Sequence, residues 1–99
     1  MCGIAGFTHI GGGPRPELIA GITTSLKHRG PDQQGVWESA HVSLGAVRLK
    51  ILDLNHGDQP MVCPKSGAVI VFNGEIYNHL EVRRELEARG HRFATQCDT

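Results

Sequence analysis

The sequence predicts an α+β fold, and three observations point to it. Short apolar, partly β-branched runs at residues 2–8, 36–38, 41–48 and 68–72 read as strands. Two other segments, one starting at Pro16 and one ending at Gly90, carry helical features. These strands and helices come in mixed order along the chain. Ninety-nine residues suffice for one small domain, whose core is expected to be modest.

Taken in order, Cys2 to Thr8 is small and apolar and reads as a strand buried on both faces. Gly11-Gly12-Gly13-Pro14 makes a loop; without GxxxxGK[ST] or GxGxxG spacing it is a flexible turn, not a phosphate cradle. Leu18, Ile19, Ile22 and Leu26 recur at helical spacing behind Pro16, which suits a first turn. Lys27, His28 and Arg29 are expected in the last turn of that helix, with Gly30-Pro31 as the stop. Val36–Glu38 and His41–Arg48 form two strands around a Ser39-Ala40 turn, and Leu49–Leu54 continues with alternate apolar residues. Asn55 to Pro60 is a loop by composition. Ala68–Phe72 has the clearest strand signature. Asn78 and Glu81 are spaced as a capping box for a second helix that carries a Glu85/Arg89 pair and stops at Gly90. Arg92–Thr95 starts a further strand.

Composition excludes several function classes. Apolar residues make up 39% and charged residues 20%, which fits a soluble globular chain. Ten basic and ten acidic side chains cancel, so neither nucleic acid nor an anionic membrane is called for as a partner. The longest apolar run, Ala68 to Phe72, is too short to span a bilayer, and a secretory signal pattern is absent; a cytoplasmic location is expected. Three cysteines without CxxC spacing read as free thiols. The six histidines show no metal-ligand spacing, and no metal is expected.

Cys2 carries the chemistry. Once the initiator methionine is removed, the same residue bears a thiol, ordinarily with a pKa of about 8.5, and an α-amine with a pKa of roughly 7.7–8.0. The amine can accept the thiol proton, which places nucleophile and base on one residue. Small residues behind it leave room for a substrate to approach the backbone.

Four further segments follow MCGIAGF in order: HRGPDQQG (residues 28–35), RLKILDL (48–54), GDQPM (57–61) and FNGEIYNH (72–79). Together they resemble the N-terminal glutaminase domain of glutamine-hydrolysing asparagine synthetases, a class II amidotransferase of the N-terminal-nucleophile group. Glucosamine-6-phosphate synthase and the phosphoribosyl amidotransferases share the Cys-Gly-Ile start but not the HRGPD, RLxIxDL or NGEIYNH wording. Relatives with other acceptors share it. The resemblance covers the chain and implies a glutamine amidotransferase type 2 domain over residues 1–99.

What the resemblance implies about roles can be stated residue by residue. Cys2 attacks the side-chain amide of L-glutamine to give a thioester and ammonia. Asn73 and Gly74 supply oxyanion donors, where Asn-Gly alone would read as a hairpin turn. Arg48 holds the α-carboxylate through its guanidinium fork. Ile51 and Leu52 line the pocket, and Glu75 and Asp98 surround the α-amino group. His28 to Asp32 supports the wall of the site, while Trp37, Tyr77 and His79 pack or cap, and Cys63 is incidental.

The implied fold is the N-terminal part of a four-layer αββα sandwich, incomplete here, with an uncovered core and open strand edges. The synthetase domain, normally in the same chain, is expected to be absent, and ATP and magnesium belong to it. No cofactor is expected on these residues, and a homodimer is a possibility for the full-length protein. Cys97 stands where a serine is usual. The implied activity is the ammonia-supplying step in making asparagine from aspartate, ATP and glutamine. The alternatives are an inactive fragment, a glutamine-binding pseudo-enzyme, or an amidotransferase with another acceptor.

Overall fold

The computed structural model describes residues 2–51 and 55–99. Leu52, named above as a pocket residue, lies outside the described residues. Seven elements follow in order: β1 (Gly3–Thr8), α1 (Pro16–Ser25), β2 (Gln33–Glu38), β3 (Val42–Arg48), β4 (Met61–Val62), β5 (Val69–Ile70) and α2 (His79–Ala88). The fold is mixed α+β with two antiparallel sheets, one of three strands in the order β1-β3-β2 and one pairing β4 with β5.

The central strand β3 has partners on both sides, and α1 packs across all three strands. Packing is close at one point in particular. A Cβ on Gly45 would fall on the Thr23 hydroxyl, so glycine there lets α1 settle onto the sheet. Thr23 is fully buried and its hydroxyl donates to the Ile19 carbonyl at 2.6 Å. Ile19, Ala46 and Val47 are the buried apolar residues of this core.

Sequence reasoning placed β1, α1, β2, β3 and α2, with strand and helix starts shifted by a few residues. Five details differ. First, β1 is not buried on both faces: Gly3, Ala5 and Phe7 turn inward, whereas Ile4, Gly6 and Thr8 are exposed. Strand β1 is at a sheet edge and only one face has a helix over it. Second, α1 ends at Ser25, so Lys27, His28 and Arg29 lie beyond it in successive turns, with Arg29 N–H donating to Leu26 O and Gly30 N–H to Lys27 O.

Third, only Val69–Ile70 of the expected Ala68–Phe72 strand pairs with another strand. Fourth, Asn78 is the N-cap of α2 but its side chain makes no capping bond; the ring Nδ1 and the backbone N–H of His79 both approach the Ile76 carbonyl instead, at 3.0 and 3.1 Å. Fifth, Arg92–Thr95 is not a strand, because the Arg83 guanidinium takes the Thr95 carbonyl at 2.6 Å. The Glu85–Arg89 pair forms at 2.8 Å, and Gly90, at φ +94°, turns the chain out of α2.

Much of the surface that these elements offer is uncovered. The chain exposes 6783 Å², where a compact monomer of 10.7 kDa exposes about 5,500 Å². Helix α2 contains no buried residue, and an apolar groove of about 470 Å³ runs between it and the β4–β5 hairpin. No helix among the described residues is long and apolar enough to cross a membrane.

Candidate functional site

The antiparallel register builds the site. Gly3 lies opposite Val47 and Gln33 opposite Arg48, so the start of β1, the end of β3 and the start of β2 meet at one end of the sheet. Cys2 is half-buried there, and its thiol faces the Leu49 carbonyl at 3.8 Å, a weak contact that leaves the sulfur unencumbered.

The turn after α1 clasps this end. Arg29 Nε–H donates to the Cys2 carbonyl at 3.0 Å. A Cβ on Gly30 would stand 2.6 Å from Arg48 N and C, so glycine allows the turn to lie directly on the β3 backbone. Asp32 then accepts the Lys50 N–H at 2.9 Å through its carboxylate and donates its own N–H to Arg48 O at 3.0 Å. The His-Arg-Gly-Pro-Asp stretch is thus a buckle around the strand end, although none of its residues lines the cavity described below.

Arg48 is buried, and its Nη1 donates to His56 O at 3.0 Å and to Asp58 Oδ1 at 3.3 Å. Lys50 joins the same carboxylate at 3.4 Å. A ligand carboxylate reaching the guanidinium would meet a cation that already has an exposed acidic neighbour in Asp58.

A small cavity of about 70 Å³ opens at this sheet end. Its wall contains six of the eight residues named from sequence: Cys2, Arg48, Ile51, Gly74, Glu75 and Asp98. Asn73 is exposed and does not line it. Leu52 falls outside the described residues. The Asn73-Gly74 pair is not a hairpin turn, since helix α2 and not a strand follows it. The Phe72 ring lies against Gly74, where a Cβ would meet ring carbon at 2.9 Å. Asp98 accepts the Ile76 N–H at 2.8 Å, so this carboxylate is tied to the loop that leads into α2. The larger groove is lined in part by Asp98 and Cys97 but by neither Cys2 nor Arg48, and the thiol, the guanidinium and two carboxylates make the smaller cavity the candidate site.

Sequence reasoning missed Gln33, Gln59 and Phe72. Gln59 is buried, lines the cavity and bonds to Gln33, Phe72 and Thr99. A signal existed: Gln33 and Gln59 stand inside the HRGPDQQG and GDQPM segments. Cys63 is distant from this cavity wall and exposed; the Ser66 hydroxyl, followed by the Ser66 and Lys65 backbone N–H groups, pulls its thiol pKa below the ordinary value. Among the described residues no group of three or more His, Cys, Asp or Glu side chains is arranged to hold a metal ion.

Comparison with known proteins gives the family. A family profile described as "Glutamine amidotransferase domain" matches residues 1–99. Asparagine synthetase [glutamine-hydrolyzing] 1 of Bacillus subtilis is 46% identical over 83 residues, which is 84% of this chain and 13% of the relative. Asparagine synthetase [glutamine-hydrolyzing] 3 of the same organism is 40% identical over 107 residues, covering 100% of this chain and 17% of the relative. The nodule asparagine synthetase [glutamine-hydrolyzing] of Pisum sativum is 38% identical over 100 residues, covering 99% and 17%. The chain thus spans less than a fifth of the length of these curated relatives. With the profile matching from one end to the other, the chain belongs to the glutamine amidotransferase domain family.

Proposed function

We propose that this domain hydrolyses glutamine to glutamate and ammonia through a thioester on Cys2, and that in a longer polypeptide the ammonia serves to make asparagine from aspartate and ATP. One observation carries the reading. Cys2, Arg48, Gly74, Glu75 and Asp98, drawn from both ends and the middle of the chain, line one cavity.

The chemistry needs Met1 removed. The freed α-amine takes the thiol proton, and the thiolate adds to the side-chain amide carbon of glutamine. Negative charge develops on the amide oxygen, for which Gly74 in the cavity wall offers its N–H and Asn73, exposed outside it, must turn its carboxamide inward. Collapse expels ammonia, protonated from the amine, and leaves the thioester; water then releases glutamate and the thiol. Arg48 holds the α-carboxylate in place of its present contact to Asp58, and Asp98 and Glu75 receive the α-ammonium. The fold that goes with this reading is part of a four-layer αββα sandwich.

A second reading is a domain that binds glutamine without turning it over; the size of the cavity bears on both readings alike, because each needs glutamine to enter it. At about 70 Å³ it is well below the roughly 300–1,000 Å³ of most small-molecule pockets. Two measurements separate these readings. The diazoketone analogue of glutamine is expected to add its mass less the dinitrogen it expels to the N-terminal peptide, and Cys2→Ala to abolish glutamate release with an unchanged circular dichroism spectrum. Adduct on Cys63 or Cys97 alone would overturn the nucleophile assignment, and binding of glutamine without glutamate release establishes the second reading.

A further inference from the structure

We propose that Gln59 is a positioning residue for this site: its buried side chain ties the loop bearing Gly74 to the sheet end bearing Arg48. The role rests on the glutaminase reading above, and the bonds that support it are as follows. Gln59 is 5% exposed, and both of its peptide groups are held by Gln33, whose Oε1 accepts the Gln59 N–H at 3.1 Å and whose Nε2 donates to the Gln59 carbonyl at 2.9 Å. Gln33 is the β2 residue opposite Arg48. Gly35, one step further into the sheet along this face, has no Cβ where the Gln59 carbonyl and Pro60 lie. The backbone of Gln59 is therefore fixed to the sheet.

Its side chain reaches the other way. Oε1 accepts the Phe72 N–H at 2.6 Å, and Nε2 donates to Thr99 Oγ1 at 3.3 Å. Phe72 lies two residues past the end of β5 and immediately before Asn73-Gly74, and Thr99 follows Asp98. The carboxamide thus gives Phe72 the acceptor that a neighbouring strand would give, and sets where the next residues stand relative to Cys2. An oxyanion donor works only when held within about half an ångström of its place, which a loop without a ladder partner does not achieve unaided. An amide suits both bonds, because it accepts at one end and donates at the other without burying a charge.

The test uses the whole chain, labelled with nitrogen-15. Gln59→Met keeps length and volume but removes both polar ends. It is expected to speed exchange of the Phe72 amide at least tenfold while β3 amides keep their protection, and to slow Cys2 alkylation by the diazoketone analogue about tenfold, the scale of one well-placed hydrogen bond. The loss is expected in the maximal rate more than in the half-saturating concentration. Gln59→Glu retains an acceptor for Phe72 and is expected to restore much of both, read at the same pH as the parent. If Met loosens β3 as well, Gln59→Asn, too short to reach Phe72, gives the same comparison. Unchanged Phe72 exchange in a folded Met or Asn variant overturns the tether, and unchanged alkylation despite faster exchange overturns the positioning role. An unlabelled Cys2 in the parent chain refutes the glutaminase reading instead, while exchange at Phe72 still decides the tether.

Discussion

Replacing Gly30 by alanine puts one methyl group between the turn after α1 and the backbone of β3. The added carbon would stand 2.6 Å from Arg48 N and C and 2.7 Å from Val47 C. Carbon contacts are comfortable at about 3.5 Å or more, so the two segments must part by roughly 1 Å. No side chain can swing aside, because every atom met is backbone of a strand paired on both edges. The turn therefore moves, and with it the Arg29 bond to Cys2 O and the Asp32 bond to Lys50 N–H. Overpacking costs about 1–3 kcal/mol and each of the two lost bonds about 1 kcal/mol, which gives roughly 3–5 kcal/mol. At about 4–8 °C per kcal/mol for a domain of this size, the midpoint of thermal unfolding falls by about 12–40 °C. Circular dichroism melts measure this directly, with Gly21→Ala as the control. Gly21 lies mid-helix in α1 with nothing within 4 Å of an added Cβ, so alanine there is expected to raise the midpoint. A Gly30→Ala midpoint within about 2 °C of the parent would refute the steric argument. So would an equal fall in both variants, which would place the effect in the loss of glycine rather than in the contact.

Two further outcomes follow from side chains. Hydrogen bonds from Ser66 and Lys65 stabilise the Cys63 thiolate and lower its pKa, so alkylation by iodoacetamide is expected to reach half its maximal rate at a lower pH than in an unstructured cysteine peptide. Ser66→Ala should return the inflection upward; an inflection that stays put would remove the hydroxyl as the main cause. Arg83 donates to Thr95 O at 2.6 Å, pairs with Glu87 at 3.0 Å and lies 4.9 Å over the Phe93 ring. Arg83→Ala is expected to release residues 92–99, seen as faster amide exchange there with β1, β2 and β3 unchanged, and to cost about 1.5–3 kcal/mol for a charged hydrogen bond. Equal exchange in the two proteins would show that something else holds this segment.

The parts of the fold legible in the sequence were those governed by local pattern. Pro16 at the first position of α1, the Ser39-Ala40 turn between β2 and β3, and Gly90 beyond α2 all express local preferences that need no distant partner. The misread parts were decided by distant side chains. Phe72 N–H goes to Gln59 and not to a strand, and Thr95 O goes to Arg83. The face of β1 that is exposed could not be read either, since Ile4 is apolar enough for a core and is 47% exposed for want of a layer over it. For the site, the residue types were legible from the motifs, and the structure brings six of them to one cavity wall. Their support was not, because a glutamine carries no chemical signature until its bonding partners are known.

Cys2 and Asp98 share a cavity although they stand near opposite ends of the chain. On a ribosome adding about 5–20 residues per second, the thiol precedes its carboxylate partner by roughly 5–20 s. Closing a loop of about a hundred residues then opposes their meeting by roughly 4 kcal/mol beyond a constant term. A nascent chain therefore exposes the Cys2 thiol before the wall of its cavity is complete, and that wall waits on Asp98 and Thr99.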